Sequence, residues 1–201
     1  MAKIASWNVN SIRAREEHLK KWLFDNPVDI LGLQETKVQN QNFPIEFVNQ
    51  LGYQVFYNGQ KSYNGVCIFF KGNAEIISDR IPGFPDEQKR VLAVKWKGIL
   101  IINIYVPNGA EIGSEKFDYK LNWLEAFYLW IKELNKTFKK IIVLGDFNIA
   151  PTDLDVHDPE LWKDKTLCSK KEREFLKNLK ELGLIDTFRQ IDEETSSFTW
   201  W

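Results

Sequence analysis

Apolar and polar positions along the chain switch between a strand period and a helix period. "KIASW" (residues 3–7) is a short strand-like run, and "SIRAREEHLKKWLF" follows with Ile12, Leu19, Trp22 and Leu23 at helical spacing. Asn10 or Ser11 is the expected N-cap of that helix. "DILGLQ" (residues 29–34) has the length of a buried strand, and Gly52 is the expected stop of a second short helix that begins near Pro44. From residue 53 to 105 the pattern is β-rich: "YQVFYN", "GVCIFF", "AEIIS", "VLAVKW" and "ILIINIY" are separated by Gly, Asn or Pro signals, with a tight hairpin at "WKGIL". Phe117, Leu121, Leu124, Tyr128, Ile131 and Leu134 recur every three or four residues and predict a long helix over 115–138. "KKIIVLGDFNIAP" supplies another strand, and "KKEREFLKNLKELG" a last helix with Phe175, Leu176, Leu179 and Leu182 inward and Gly183 as its stop.

Two segments repeat one plan, strand–helix–strand, and such connections within one sheet normally make the strands parallel. Parallel strands finish on the same edge. Asn8 and Glu35 therefore share one rim, and Tyr105, Asp146 and Asn148 another; two layers packed face to face bring both rims to one cleft. The plain alternative is that strands end in turns, where Asp and Asn are favoured anyway. Glu35 and Tyr105 fit that alternative less well. Glu, Asp and Asn oxygens are the donor set of a hard cation such as Mg²⁺ or Mn²⁺. Zinc would prefer His or Cys, and the only histidines are His18, among charges on the first helix, and His157, in a loop. A serine triad has correspondingly little support, and no "GxxxxGK" phosphate loop occurs.

With 201 residues, the chain suits one domain, 1–201, able to bury roughly 70% of its unfolded surface. A hydrophobic fraction of 44%, a charged fraction of 27% and a net charge of −1 are ordinary for a globular protein and do not select a partner. Cys67 and Cys168 have neither metal-ligand nor disulfide spacing and read as core thiols in a reducing compartment. The N-terminus enters a strand at once, without a signal-peptide pattern, and no apolar run is long enough to span a bilayer; the expected location is cytoplasmic.

At "SWNVNSIRAR", "LGLQETK", "IYVPNG", "LGDFNIAPTDLDVHDPELW" and "SFTWW" the chain resembles the exonuclease III branch of apurinic/apyrimidinic endonucleases, with the blocks in order over the whole length. "GDFN" alone indicates the wider endonuclease/exonuclease/phosphatase superfamily; "WNVNSIRA" and "NIAPTDLDV" narrow it to the DNA-repair branch. The resemblance implies an α/β fold, a DNase I-like sandwich of two packed sheets flanked by helices. It also implies Mg²⁺-dependent cleavage of double-stranded DNA 5′ to abasic sites, with 3′→5′ exonuclease and 3′-phosphatase action, by a monomer. Residue by residue, Glu35 matches the principal metal carboxylate and Asn8 the asparagine that orients metal and aspartate. Tyr105 matches the tyrosine near the scissile phosphate, Asp146 the activator of water, and Asn148 the holder of the phosphate or intermediate. Asn8, Glu35, Asp146 and Asn148 form the implied metal set. Arg13 and Asn108 match DNA-phosphate contacts, Tyr63, Asn64 and Gly65 a backbone-gripping loop, and Trp200 an aromatic wall of the abasic pocket.

The resembled family continues past this point with a late Asp in a "RIDH"-like segment and an Asp–His pair in an "SDHAP"-like segment. The expectation is therefore a domain lacking its C-terminal segment, nearly inactive as these 201 residues alone and active in its parent. Two rival readings stand beside it. One is another superfamily phosphoesterase acting on RNA or a small phosphoester, since one fold hosts many functions; the other is a non-catalytic DNA-binding fragment.

Overall fold

The computed structural model describes residues 2–198. The chain divides into two compact units, Met1–Tyr105 with Phe138–Phe147, and Val106–Thr137 with Asn148–Trp201. The first holds strands β1 (Ile4–Asn8), β2 (Ile30–Gln34), β3 (Gln54–Asn58), β4 (Val66–Phe70), β5 (Ala74–Ser78), β6 (Val91–Trp96), β7 (Ile99–Tyr105) and β8 (Ile141–Asp146), with helices α1 (Glu16–Asp25) and α2 (Ile45–Gln50). They form two mixed sheets, in order β1-β2-β4-β3 and β5-β6-β7-β8. The parallel pairs are β1/β2 and β7/β8, the two that the strand–helix–strand pattern predicts; every other neighbouring pair is antiparallel.

Side-chain alternation explains the layering. On the first sheet Leu31, Leu33, Cys67 and Phe69 point one way, into a core closed by Leu19 and Leu23 of α1 and Val48 of α2. Ile30, Val66, Ile68 and Phe70 point the other way, against Leu92, Val94, Trp96, Ile101 and Leu144 of the second sheet. The result is an α/β sandwich. β2 is buried on both faces, so its run is continuously apolar rather than alternating.

Gly32, mid-β2, marks a close approach of the two sheets. A Cβ there would lie 2.1 Å from Leu144 Cδ1 and 3.1 Å from Asn103 Cγ. The fully buried Asn103 amide uses that space: it donates to Leu33 O (2.9 Å) and Cys67 O (2.8 Å) and accepts from Gln34 Nε2 (2.7 Å). A polar bolt thus joins β7 to β2 and β4 inside the apolar core.

The first helix departs from its predicted start. α1 begins at Glu16 after a 3₁₀ turn, Arg13–Arg15, and Arg15 caps it without a side-chain hydrogen bond. Asn10 and Ser11 adopt positive φ (45° and 94°), and Ser11 N donates to Glu35 O at 2.7 Å. Ser11 Oγ accepts from Ala14 N at 3.4 Å, so it serves the 3₁₀ turn ahead of α1 while its backbone is held by the Glu35 turn. The "WKGIL" hairpin forms as predicted, with Lys97 and Gly98 both left-handed (φ 47° and 78°).

The second unit carries α3 (Glu115–Thr137), α4 (Pro159–Trp162) and α5 (Lys170–Glu181), with a 3₁₀ turn at Asp153–Asp155. The buried stripe of α3 is Phe117, Lys120, Trp123, Leu124, Phe127, Trp130 and Ile131, so it is rotated away from the predicted Leu121, Tyr128 and Leu134, which are half-buried. Aromatic stacking sets this rotation: Trp123 stacks on Phe127 at 5.4 Å, and Phe127 meets Phe175 of α5 at 6.3 Å. Phe175 and Leu179 of α5 are buried as predicted, and Glu172 is buried as well. Cys67 and Cys168 are free and buried. Among the described residues, no helix is long and apolar enough to cross a membrane.

Replacing Asn103 by Leu takes the side-chain donor from the Leu33 and Cys67 carbonyls and one of three acceptors from Gln34 Nε2, which keeps Ser6 Oγ and Gly32 O, so urea unfolding should report a loss of about 1–3 kcal/mol. A loss indistinguishable from zero would show that the bolt contributes nothing to holding the sheets together.

Candidate active site

Parallel pairing sets Asn8 level with Gln34, the residue before Glu35, and Tyr105 level with Asp146. Both rims meet at Asn8. Its Nδ2 donates to Glu35 Oε1 and to Asp146 Oδ2, each at 2.8 Å. Its Oδ1 accepts from Asn10 N at 3.1 Å, which fixes the amide plane. The Tyr105 hydroxyl donates to Glu35, and the Arg90 guanidinium lies 4.8 Å over the Tyr105 ring. Lys37 Nζ pairs with Glu35 Oε2 at 2.9 Å and also donates to Asn10 Oδ1. Four sequence-predicted residues, Asn8, Glu35, Tyr105 and Asp146, therefore come together in the first unit.

The backbone here is held away from its preferred region. Glu35 and Lys37 are left-handed, with φ of 53° and 54°. Such conformations cost about 1–3 kcal/mol each outside glycine and persist only where surroundings enforce them. The enforcement is visible: Ser11 N and Ile12 N donate to Glu35 O and Thr36 O, while Thr36 N and Lys37 N donate to Gly65 O (3.1 Å) and Asn64 O (3.0 Å).

Burial by itself would raise the Glu35 pKa, but hydrogen bonds from Asn8, Lys37 and Tyr105 outweigh it and hold the carboxyl below its ordinary value. Tyr105 moves the opposite way. Burial, then the Glu35 charge and the hydrogen bond to it, push the phenol well above its ordinary range, against a smaller opposing pull from Arg90. The site thus keeps an ionised carboxylate beside a protonated phenol.

The other predicted residues are placed as follows. Tyr63 is 71% exposed, whereas Asn64 is buried with its amide donating to Gln60 and Gln88; Asn64 and Gly65 brace the Glu35 turn through their carbonyls. Arg13 donates to Asn42 O at 2.7 Å from an exposed position. Asn108 and Asn148 belong to the second unit. The exposed Asn108 closes a local turn through Ala110 N, and Asn148, with φ of 47°, donates from Nδ2 to Val106 O at 2.8 Å. Trp200 lies outside the described residues. Sequence reasoning missed Lys37 and Arg90. Lys37 had one signal, a cation two residues beyond Glu35; Arg90, at the mouth of β6, had none.

Two carboxylate oxygens converging on one amide nitrogen fit a hard cation. Among the described residues no group of three or more His, Cys, Asp or Glu clusters, so such an ion would complete its shell from amide, water or substrate oxygens, as Mg²⁺ commonly does.

The endonuclease/exonuclease/phosphatase family description matches residues 5–201. Exodeoxyribonuclease III of Haemophilus influenzae is 33% identical over 214 residues, covering 98% of this chain and 79% of that protein. The solved structure of a 3′ phosphatase, NExo, from Neisseria bound to product DNA hairpin matches with a TM-score of 0.97 at 40% identity, over 100% of this chain and 79% of that one. An AP endonuclease from Archaeoglobus fulgidus matches with a TM-score of 0.93 at 40% identity, over 100% and 78%. The chain belongs to the endonuclease/exonuclease/phosphatase family, on the branch of exodeoxyribonuclease III-like AP endonucleases, and its sandwich is the DNase I-like fold. Enzymes of this branch are hydrolytic nucleases, and the family's nucleases use divalent metal ions.

Asn8→Ala removes a hydrogen bond that lowers Glu35 and takes away the donor shared by the two carboxylates, leaving Lys37 as the remaining cation on Glu35. A ¹³C-carboxyl NMR titration should find Glu35 titrating below the ordinary 4.5 in the parent protein and higher in the variant. An unchanged midpoint would refute the assigned cause.

Proposed function

We propose that the protein is a metal-dependent DNA phosphodiester hydrolase of base-excision repair. It cleaves duplex DNA 5′ to abasic sites and carries associated 3′→5′ exonuclease and 3′-phosphatase activity. The single observation that carries this reading is the Asn8 amide bridging Glu35 and Asp146 at 2.8 Å each, beside a protonated Tyr105. Residues 1–201 belong to one endonuclease/exonuclease/phosphatase domain of a cytoplasmic monomer, a setting that suits two free buried thiols.

A phosphodiester resists attack because its own charge repels nucleophiles. Asn8, Glu35 and Asp146 would hold Mg²⁺, or Mn²⁺ in its place, and the ion would supply charge neutralisation at the substrate phosphate. Asp146 takes the proton of the attacking water on a carboxylate oxygen. The Tyr105 hydroxyl, kept protonated by burial and by Glu35, turns its one hydrogen from Glu35 to a phosphate oxygen as charge develops there. Asn148 donates from its amide to the same group. Asn8 keeps the two carboxylates in fixed relation, so little reorganisation accompanies reaction.

Arg13, Asn108, Tyr63 and the Asn64–Gly65 turn contact DNA phosphates. An abasic nucleotide leaves the helix at low cost because no base must be unstacked. The buried Asn64 amide supports a bracing role for its turn, leaving the exposed Tyr63 to reach the DNA.

The test uses the full-length protein with Mg²⁺ on an abasic duplex, a duplex with a 3′-phosphate, a matched RNA and bis(p-nitrophenyl) phosphate. Cleavage should favour the two DNA substrates, and Asp146→Asn should lower kcat by roughly 10²–10⁴ while duplex binding persists. Preferred turnover of RNA or the small phosphoester, or undiminished turnover in the variant, would overturn the reading. Binding without turnover in the parent protein would make it a DNA-binding module.

A further inference from the structure

Helix α3 buries a lysine in its apolar stripe, and α5 buries a glutamate in its first turn. Lys120 and Glu172 have side chains with no exposed surface, and Lys120 Nζ lies 2.5 Å from Glu172 Oε1. Desolvating two charges is costly, and well-packed apolar side chains often serve stability as well or better. The geometry indicates another use. Lys120 Nζ also donates to the backbone carbonyls of Asn148 (2.6 Å) and Asn108 (3.1 Å). Glu172 is held in turn by Leu167 N (3.0 Å), Ser169 N (3.1 Å) and Ser169 Oγ (2.5 Å).

The loops carrying Asn108 and Asn148 are therefore tied to one ammonium group. Each needs the tie. Asn148 is left-handed without being glycine. Gly109, also left-handed at φ 95°, lies so close over the lysine stem that a Cβ would come within 2.9 Å of Lys120 Cδ. A second brace acts farther along the same loop, where Arg173 Nε donates to Ala150 O at 3.1 Å and its guanidinium pairs with Asp153 at 2.8 Å.

We infer that Lys120 is a positioning residue that sets the two phosphate-contacting asparagines, Asn108 and Asn148, and that Glu172 exists to hold Lys120 in place. This rests on the proposed phosphodiester hydrolysis for its kinetic meaning. It is independent of that reading for its structural meaning. An apolar pair of similar volume can replace the ions without leaving a buried charge, but it supplies no donor to aim the two carbonyls.

The decisive variant is Lys120→Met/Glu172→Leu in the full-length protein, assayed on the abasic duplex and the duplex 3′-phosphate. With the melting temperature retained, kcat should fall by roughly 10²-fold, the scale of a misplacement near 1 Å, while KM changes far less. Asn148→Ala should cost less in this background than in the parent, because the side chain has already lost its placement. A folded double variant with parental kcat, or full additivity with Asn148→Ala, would overturn the inference. Should that pair not fold, Lys120→Met/Glu172→Gln keeps one acceptor oxygen, for Ser169 N and Ser169 Oγ, and carries the same test. If the parent protein turns over neither DNA, the functional reading fails. Amide exchange over residues 108–110 and 148–150 then decides: at least tenfold faster in the folded double variant supports positioning, and unchanged exchange overturns it.

Discussion

The buried amide of Asn103 ties the two sheets at the level where both rims end. Gly32 vacates the space, Asn103 enters it, and the carbonyls of Leu33 and Cys67 and the Gln34 amide satisfy it. Hydrophobic contact between sheets is non-directional and would tolerate sliding. Hydrogen bonds of fixed geometry do not. Gln34 immediately precedes Glu35, and Asn103 sits two residues before Tyr105 on the same strand face, so the bolt sets the carboxylate and the phenol in one register.

Above the bolt, the site accumulates groups that would be unfavourable elsewhere. Two carboxylates share one amide, non-glycine residues including Glu35 and Lys37 are left-handed, and a phenol is buried against a charge. Each is compensated by a named neighbour: Lys37 for Glu35, Arg90 over Tyr105, and the carbonyls of Asn64 and Gly65 for the Glu35 turn. The free energy is stored in orientation, which is what stabilising a developing phosphate charge requires.

The second unit follows the same logic with a different device. Its aromatic stack fixes α3 against α5, and the rotation this imposes brings Lys120 inward instead of leaving it on the surface. A lysine so buried must be fully bonded to be tolerated, and the bonds it makes reach the two loops that carry Asn108 and Asn148.

The sequence by itself determined the elements and where their ends carry chemistry. The strands, the two parallel pairs, the hairpin at Lys97–Gly98 and the positions of Asn8, Glu35, Tyr105 and Asp146 were all legible, because hydrophobic period and turn chemistry act over a few residues. The motif blocks added the family. Only the tertiary structure decided that Asn8 would bridge two carboxylates, that Arg90 would cover Tyr105, that Asn10 and Ser11 would serve the Glu35 turn rather than cap α1, and that Lys120 and Glu172 would be core residues. The physical reason is one of range. Apolar burial is written residue by residue, whereas a buried polar group is satisfied by partners tens of residues away, and nothing local announces which partner that will be.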